Sequence, residues 1–405
     1  MSDGEHDYAG PESESDDSES DDSSSGDEEN FLGNLEGNFL ENLGEDEIVY
    51  DHIEGYPKYE DIPMMTMTAV GYFENSISDI NKLFYLLPIS KIKLPKRNRP
   101  VKKINLPYPG QSNLIMTCCL GAKKRGIVRS ITKDGWPHSI MIDISTSEKN
   151  VNCKISRTNV HMTGCKSVAM AEETTKLVIE HINEINKYIF YMNSLRDEEP
   201  DKLKKIIEDI LAQCKGDFKI KDGKGWWKFD IFKLKSPSDE SIEEKCVRRL
   251  CYSCLTDVRK FTDAKAKLRW LLTVEPFAEE PVRFSHVDVS MAKRRIELGF
   301  SIDLQELSDL FKKIDQEFFI DYFPDVRSYA KIEIPCKFQK ENKKKKNEIH
   351  KHTFNIERTG RITMSTRVLD EMREIYYRFV YVVDQIRELI EIFPSPEAEK
   401  DNENV

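Results

Sequence analysis

The chain has 405 residues, 39% of them hydrophobic and 33% charged, length enough for two or three domains. No run reaches the roughly 18 apolar residues that span a bilayer, and the N-terminus lacks a basic-then-apolar leader pattern, so an intracellular protein with no membrane partner is expected. The net charge of −11 argues against a nucleic-acid partner only until it is divided along the chain.

Residues 1–50 hold 18 Asp or Glu and no Lys or Arg, which leaves 61 bases against 54 acids in the remainder, a balance of +7. The first thirty residues have too little apolar surface to offset the entropy of ordering, and 1–50 is expected to be a disordered acidic tail. Ser13, Ser15, Ser18 and Ser20 are each followed by acids, the context that acid-directed kinases prefer. A short repeat from Asn30 sets out Phe31, Leu32, Leu35, Phe39, Leu40 and Leu43 as docking anchors; a merely solubilising tail is the competing reading.

Residues 65–84 read as a strand followed by a helix capped near Ser78, and residues 287–311 read the same way, with Ser301 or Asp303 as the cap. Three alternating strands start at His138, and three more come from stretches starting at Ser328 and His352. Each set runs into a long amphipathic helix. The first is marked by Val168, Ala171, Thr175, Val178, Ile182, Ile185 and Ile189, the second by Leu369, Met372, Tyr376, Phe379, Val383, Ile386 and Ile390. The strand–helix–strands–helix unit is therefore duplicated, its copies about 200 residues apart.

The expected division is a tail over 1–50, a first unit over 64–190 with a basic insertion at 89–135, a partly helical insertion over 191–285, a second unit over 286–392 and a disordered end over 393–405. The inter-unit insertion carries a Trp226–Trp227 pair of unknown role. Nine scattered cysteines argue against a disulfide framework. Cys246, Cys251 and Cys254 lie on an amphipathic helical segment without a fourth ligand at finger spacing, so they read as core residues rather than a metal site, as does the apolar Cys118–Cys119 pair. Neither metal nor cofactor is expected.

Alternation divides the strands into two faces. Ile140, Ile142, Ile144, Val151, Cys153, Ile155, Val160 and Met162 should pack under the helices, as should Ala330, Ile332, Ile334, Phe354, Ile356, Ile362 and Met364. The open face then carries Ser139, Met141, Asp143, Asn152, Lys154, Ser156, His161 and Thr163 in one half. Tyr329, Lys331, Asn355, Glu357, Arg361, Thr363 and Ser365 form the other.

The segment TNVHMTGCKS at Thr158, with the weaker copy RTGRITMSTR at Arg358 and the duplication itself, resembles the signature of the TATA-box-binding protein family. The SIMIDIS and KISRTNVHMTGCKS patterns are especially similar to the divergent TBP-like factors of large nucleocytoplasmic DNA viruses. The resemblance covers about 64–190 and 286–392. It implies an α+β, pseudo-twofold saddle of two lobes, a curved antiparallel sheet with helices on the convex side. It further implies a transcription initiation factor that binds and bends double-stranded promoter DNA through the minor groove. The implied partners are initiation-factor-B-like general transcription factors and RNA polymerase; the charge division adds the acidic tail as an expected intramolecular partner. If the protein is viral, the host cytoplasm and possibly the virion are its expected location; otherwise the nucleus.

Carried over position by position, Thr163 and Ser365 match the family's groove-facing hydroxyls, while Trp136–Pro137 and Phe323–Pro324 stand nearest its wedge residues. The expected DNA-binding set is Trp136, Pro137, Met141, Lys154, Ser156, His161, Thr163, Phe323, Pro324, Lys331, Asn355, Arg361, Thr363 and Ser365. The later wedges are replaced by Ile155 or Lys154 and by Ile356 or Glu357, and Asp143 stands where the family has a phosphate-binding Arg. Basic clusters at Lys96, Arg97, Arg99, Lys102 and Lys103, at Lys123, Lys124 and Arg125, and at 343–346 are the expected source of phosphate attraction. No P-loop, HExxH, nucleophile elbow or other catalytic constellation occurs, so neither an enzyme nor a small-molecule substrate is expected. The alternative function is a TBP-like interaction scaffold in viral transcription or virion machinery that does not itself bind DNA.

Overall fold

The computed structural model describes residues 50–90, 113–126, 136–216, 220–221, 224–225, 240–256, 258, 261–314, 317–337 and 350–393. The acidic tail, the clusters at 96–103 and 343–346, the Trp226–Trp227 pair and the C-terminal end lie outside the described residues.

The first unit comprises β1 (Met64–Phe73), α1 (Ile80–Leu86), β2 (Ile115–Leu120), β3 (Lys123–Gly126), β4 (Ile140–Ser145), β5 (Asn150–Ile155), β6 (Asn159–Cys165) and α2 (Val168–Glu198). Helices α3 (Pro200–Gly216), α4 (Ile242–Leu255) and α5 (Phe261–Leu271) follow. The second unit comprises β7 (Phe284–Glu297), β8 (Ser301–Ile302), α6 (Leu304–Ile314), β9 (Phe319–Asp321), β10 (Tyr329–Pro335), β11 (Lys351–Glu357) and β12 (Arg361–Thr366). It ends with α7 (Met372–Gln385), α8 (Arg387–Ile390) and β13 (Glu391–Ile392), which pairs with β8.

One 11-stranded antiparallel sheet joins both units in the order β9-β10-β11-β12-β7-β1-β6-β5-β4-β2-β3. Outward from the central β1–β7 pair the two halves have the same connectivity, with β3 the one strand added at the first unit's edge. The fold is therefore α+β with two lobes related by a pseudo-twofold, and the helices lie on one face of the sheet. Among the described residues no helix is long and apolar enough to cross a membrane.

Local chemistry sets the boundaries. Asp79, rather than the neighbouring Ser78, caps α1 by accepting from the backbone amides of Asn81 and Lys82. Ser167 caps α2 through the Met170 amide, and Asp303 caps α6 through those of Gln305 and Glu306. Gly71 is required where β1 passes under α2, because a Cβ there would lie 2.1 Å from Thr175 Oγ1. Gly360 (φ +72°) turns β11 into β12, and its Cβ would collide with the Phe300 carbonyl at 1.9 Å.

Each lobe has its own core on the helix side. The rows expected to face inward are all buried: Ile140, Ile142, Ile144, Val151, Cys153, Ile155, Val160 and Met162 lie under α2, and their counterparts in lobe 2 lie under α6 and α7. Helices α3 to α5 extend the first core. Cys246, Cys251 and Cys254 are buried within it as small apolar residues, and burial drives the Cys251 thiol far above its ordinary pKa. Asn186 and Asn183 on α2 clamp the return to β7, accepting from the Phe277 and Val282 amides at 2.7 and 2.8 Å.

The second core is completed from upstream of β1. Tyr56 and Ile62 are buried in it, Arg294 donates to the Tyr59 and Ile62 carbonyls, and the Tyr376 hydroxyl donates to the Pro57 carbonyl. Tyr50 packs edge-on against Tyr381 of α7, on the helix side of lobe 2.

Candidate nucleic-acid interface

The face without helices is a continuous floor whose residues are matched by strand register. In lobe 1, Thr163 of β6 lies between Thr68 of β1 and Asn152 of β5, and His161 lies between Val70 and Lys154. Met141 and Asp143 of β4 continue the rows. In lobe 2, Ser365 of β12 lies between Lys293 of β7 and Thr353 of β11, and Thr363 lies between Arg295 and Asn355, with Lys331 and Glu333 beyond.

The same registers make Thr163 and Ser365 pseudo-equivalent, as they do His161 and Thr363, Lys154 and Asn355, Met141 and Lys331, and Asp143 and Glu333. The strand residues of the expected set, from Met141 to Ser365, thus share one face, with Arg361 at the start of β12. Ser156 sits in the β5–β6 turn, its amide bonded to the Asn159 carbonyl, rather than on the strand face. Ser139 is a correction: expected on the open face, it is buried at 6% exposure.

Each lobe carries an exposed aromatic on an equivalent loop, before β4 in lobe 1 and before β10 in lobe 2. Trp136 (60% exposed) and Pro137 precede β4, while Phe323 (56% exposed) and Pro324 lie between β9 and β10. The two are not held alike. Lys154 Nζ lies 3.6 Å above the Trp136 ring, a cation–π contact that fixes the indole over the β5 row, whereas no ring contact of Phe323 is among those described.

The acids of the floor are engaged in place by their neighbours. Asp143 accepts from Thr117 Oγ1 at 2.8 Å and from Asn152 Nδ2 at 2.9 Å, so both of its oxygens are engaged by neutral donors from the flanking strands. Glu333 is bridged by Lys331 (2.5 Å) and Lys351 (3.0 Å). Burial raises its pKa, but the hydrogen bonds and charges of the two lysines outweigh that and hold it below the ordinary carboxylate value. Arg361 is shared between Glu297 and Glu357 at 3.4 and 3.5 Å. Partial burial, and then the charge of Lys154, hold His161 below its ordinary pKa, so at neutral pH it is an uncharged imidazole able to donate and accept.

Several face residues were not anticipated. Thr68, Val70 and Tyr72 of β1 and Lys293 and Arg295 of β7 form the middle of the floor, where Tyr72 stacks on His286 at 4.7 Å between centroids. The period-two burial of β1 was readable in its sequence, but the β1–β7 pairing that makes these strands central is not a local property. The basic cluster on β3 is corrected in part: Arg125 is 2% exposed and donates to the Phe84 and Ser253 carbonyls and to Thr256 Oγ1, pinning α4 to the sheet instead of facing a phosphate. Lys123 is engaged by Tyr85, its Nζ 2.7 Å from the hydroxyl.

No family model matches the chain, and no curated protein matches it. Among solved structures, Methanococcus jannaschii TBP is similar over 82% of this chain and 99% of its own length, at 10% identity and a TM-score of 0.32. The sheet order and registers by themselves define the α+β, pseudo-twofold architecture.

Proposed function

We propose that the open face binds double-stranded DNA in its minor groove and bends it, as a TBP-like initiation factor does at a promoter. The helix-covered side would then be left to initiation factors and RNA polymerase. The observation that carries the reading is the pair of exposed aromatics, Trp136 and Phe323, on equivalent loops flanking a floor in which hydroxyls and amides (Thr68, Thr163, Asn152, Asn355, Thr363 and Ser365) are set among lysines and arginines. Minor-groove binders bend DNA by inserting apolar wedges at base steps, and uncharged short side chains tolerate the degenerate edges of A·T pairs. The assignment to a viral branch of the family rests on the motif resemblance at Thr158.

A second reading, a protein-binding scaffold, is favoured by one observation: the lysines and arginines of lobe 2's face are largely paired with acids at Glu297, Glu333 and Glu357. Titration of an A·T-rich duplex at several salt concentrations separates the two. Groove binding predicts a negative slope of log K against log salt, and a slope of zero rejects DNA as the ligand.

The acidic tail fits the same reading as a competitor for the face. Tyr50 lies on the helix side of lobe 2, and a stretch of 49 residues at up to about 3.3 Å each has the contour length to reach round the lobe. Removing residues 1–49 should raise affinity for the duplex at low salt; unchanged or lower affinity rejects the competition.

A further inference from the structure

Lobe 2 also holds a buried cluster on its helix side, away from the open face. Cys336 directly follows β10, His352 is the second residue of β11, and Glu371 directly precedes α7. They are 4%, 0% and 4% exposed, and one ligand atom from each lies within 4.8 Å of the others. Backbone pairing holds them there: the Cys336 amide donates to the His350 carbonyl at 2.8 Å, and the Lys337 amide donates to Glu371 Oε2 at 2.9 Å.

The hydrogen bonds of the imidazole define what belongs between these groups. His352 Nδ1 lies 2.7 Å from Thr366 Oγ1, and that hydroxyl both accepts from the Val368 amide and donates to the Val368 carbonyl, each at 3.0 Å. With the hydroxyl proton on the Val368 carbonyl, Nδ1 carries the ring proton and donates to Thr366, a tautomer assigned from the network. The other ring nitrogen, Nε2, faces Glu371 Oε2, 3.0 Å away. Ligand atoms of three buried side chains converge here, so a cation can take the place of a proton shared along this edge.

The donor set and its support select the cation. Cysteine sulfur, imidazole nitrogen and carboxylate oxygen are the ligands of Zn(II), and an N–H of the ligating ring fixed on a neighbouring oxygen is the usual companion of such a site. The N-to-O edge of a tetrahedral zinc centre is about 3.3 Å from the usual bond lengths, a few tenths longer than the gap observed. The fold does not demand the cluster. By register the lobe 1 counterparts of Cys336 and His352 are Thr146 and Val151, and Ser167 precedes α2 where Glu371 precedes α7.

We propose that Cys336, His352 and Glu371 bind one Zn(II) ion through Sγ, Nε2 and a carboxylate oxygen, with water as the fourth ligand. Binding releases the thiol proton of Cys336 to solvent. The ion staples the β10–β11 end of the sheet to the start of α7, and its folding energy falls on lobe 2 alone.

The full chain, stripped with chelator and then equilibrated with Zn(II) or Co(II), provides the test. One metal per chain should survive buffer exchange, and Co(II) should give a thiolate charge-transfer band. X-ray absorption on the zinc form should show one sulfur at about 2.3 Å with nitrogen or oxygen at about 2.0–2.2 Å. Cys336→Ala should remove the site, Cys251→Ala in α4 should leave it, and Thr366→Val should weaken it by about 10- to 100-fold by freeing the ring. The proposal is overturned if no metal is retained, which leaves a proton shared between His352 and Glu371. It is equally overturned by a shell with no sulfur or with several, or by wild-type affinity in Cys336→Ala. Should Cys336→Ala fail to fold, the absorption spectrum of the unaltered chain decides.

Discussion

Lobe 1 and lobe 2 share a strand order but not a surface. On the helix side the matched positions stay apolar: Ile142 answers Ile332, Cys153 answers Phe354, and Met162 answers Met364. On the open side Thr68 answers Lys293 and Val70 answers Arg295, so lobe 1 presents mainly neutral groups where lobe 2 presents ions. Burial penalises any departure from apolar character on the inner rows, whereas the outer rows answer only to what they meet. The supports differ as well. The 31-residue α2 is backed by α3, α4 and α5, while the 14-residue α7 is backed by the segment upstream of β1.

The largest expected effects come from exchanging what the two cores contain. Phe354 is fully buried and stacks on Phe379 with centroids 4.3 Å apart, so Phe354→Ala should cost about 3–5 kcal/mol in urea unfolding. Cys153→Ala, the matched change in lobe 1, removes far less volume, and an equal midpoint shift for the two would break the comparison. Next comes Gly71, which by register answers Ile296. Gly71→Ala drives a Cβ into Thr175 and should cost about 1–3 kcal/mol, with partial rescue by Thr175→Ala. A neutral result would mean that α2 does not approach β1 closely.

Much of this frame was legible in the sequence because it is periodic. The inner rows of β4, β5, β6, β10, β11 and β12, the two long helices and the duplication all follow from alternation and three-to-four spacing. What the periodicity could not carry is pairing at a distance. Residues 50–63 have no strong pattern, yet Tyr56 and Ile62 complete the lobe 2 core. Arg125 belongs to a run that reads as a solvated basic patch and is instead drawn inward by carbonyls from α1 and α4. Cys336, His352 and Glu371 follow no known ligand spacing and meet only because a hairpin and a helix start converge. On the open face the residues of single strands were readable, while the central place of β1 and β7 depends on the docking of the two halves.

The two loop aromatics sharpen the comparison in function. Trp136→Ala and Phe323→Ala should each reduce the bend of an A·T-rich duplex, measured by end-to-end energy transfer, without changing the circular dichroism of the fold. Because Lys154 pre-orients Trp136, and no such ring contact of Phe323 is found among the described residues, Lys154→Ala should lower affinity by more than the loss of one phosphate contact alone. An unchanged bend in both aromatic variants would remove the wedge role from the two loops together.

The smallest effect isolates the charge difference between the floors. Glu333 and Asp143 are register mates, yet Glu333 is held by two lysines and Asp143 by a hydroxyl and an amide. The folded-state pKa of Glu333 lies below its ordinary value, so its contribution is present in full above the unfolded value and is lost as pH falls through the lowered one. Because the pair is partly exposed the contribution is about 1 kcal/mol or less, and salt should reduce it further. Melting temperature measured from neutral to acidic pH should therefore fall less steeply for Glu333→Gln than for the unaltered chain, and the difference should shrink in high salt. Parallel curves would mean that the lysines of lobe 2 are not committed to Glu333, and they would then be available to an incoming phosphate.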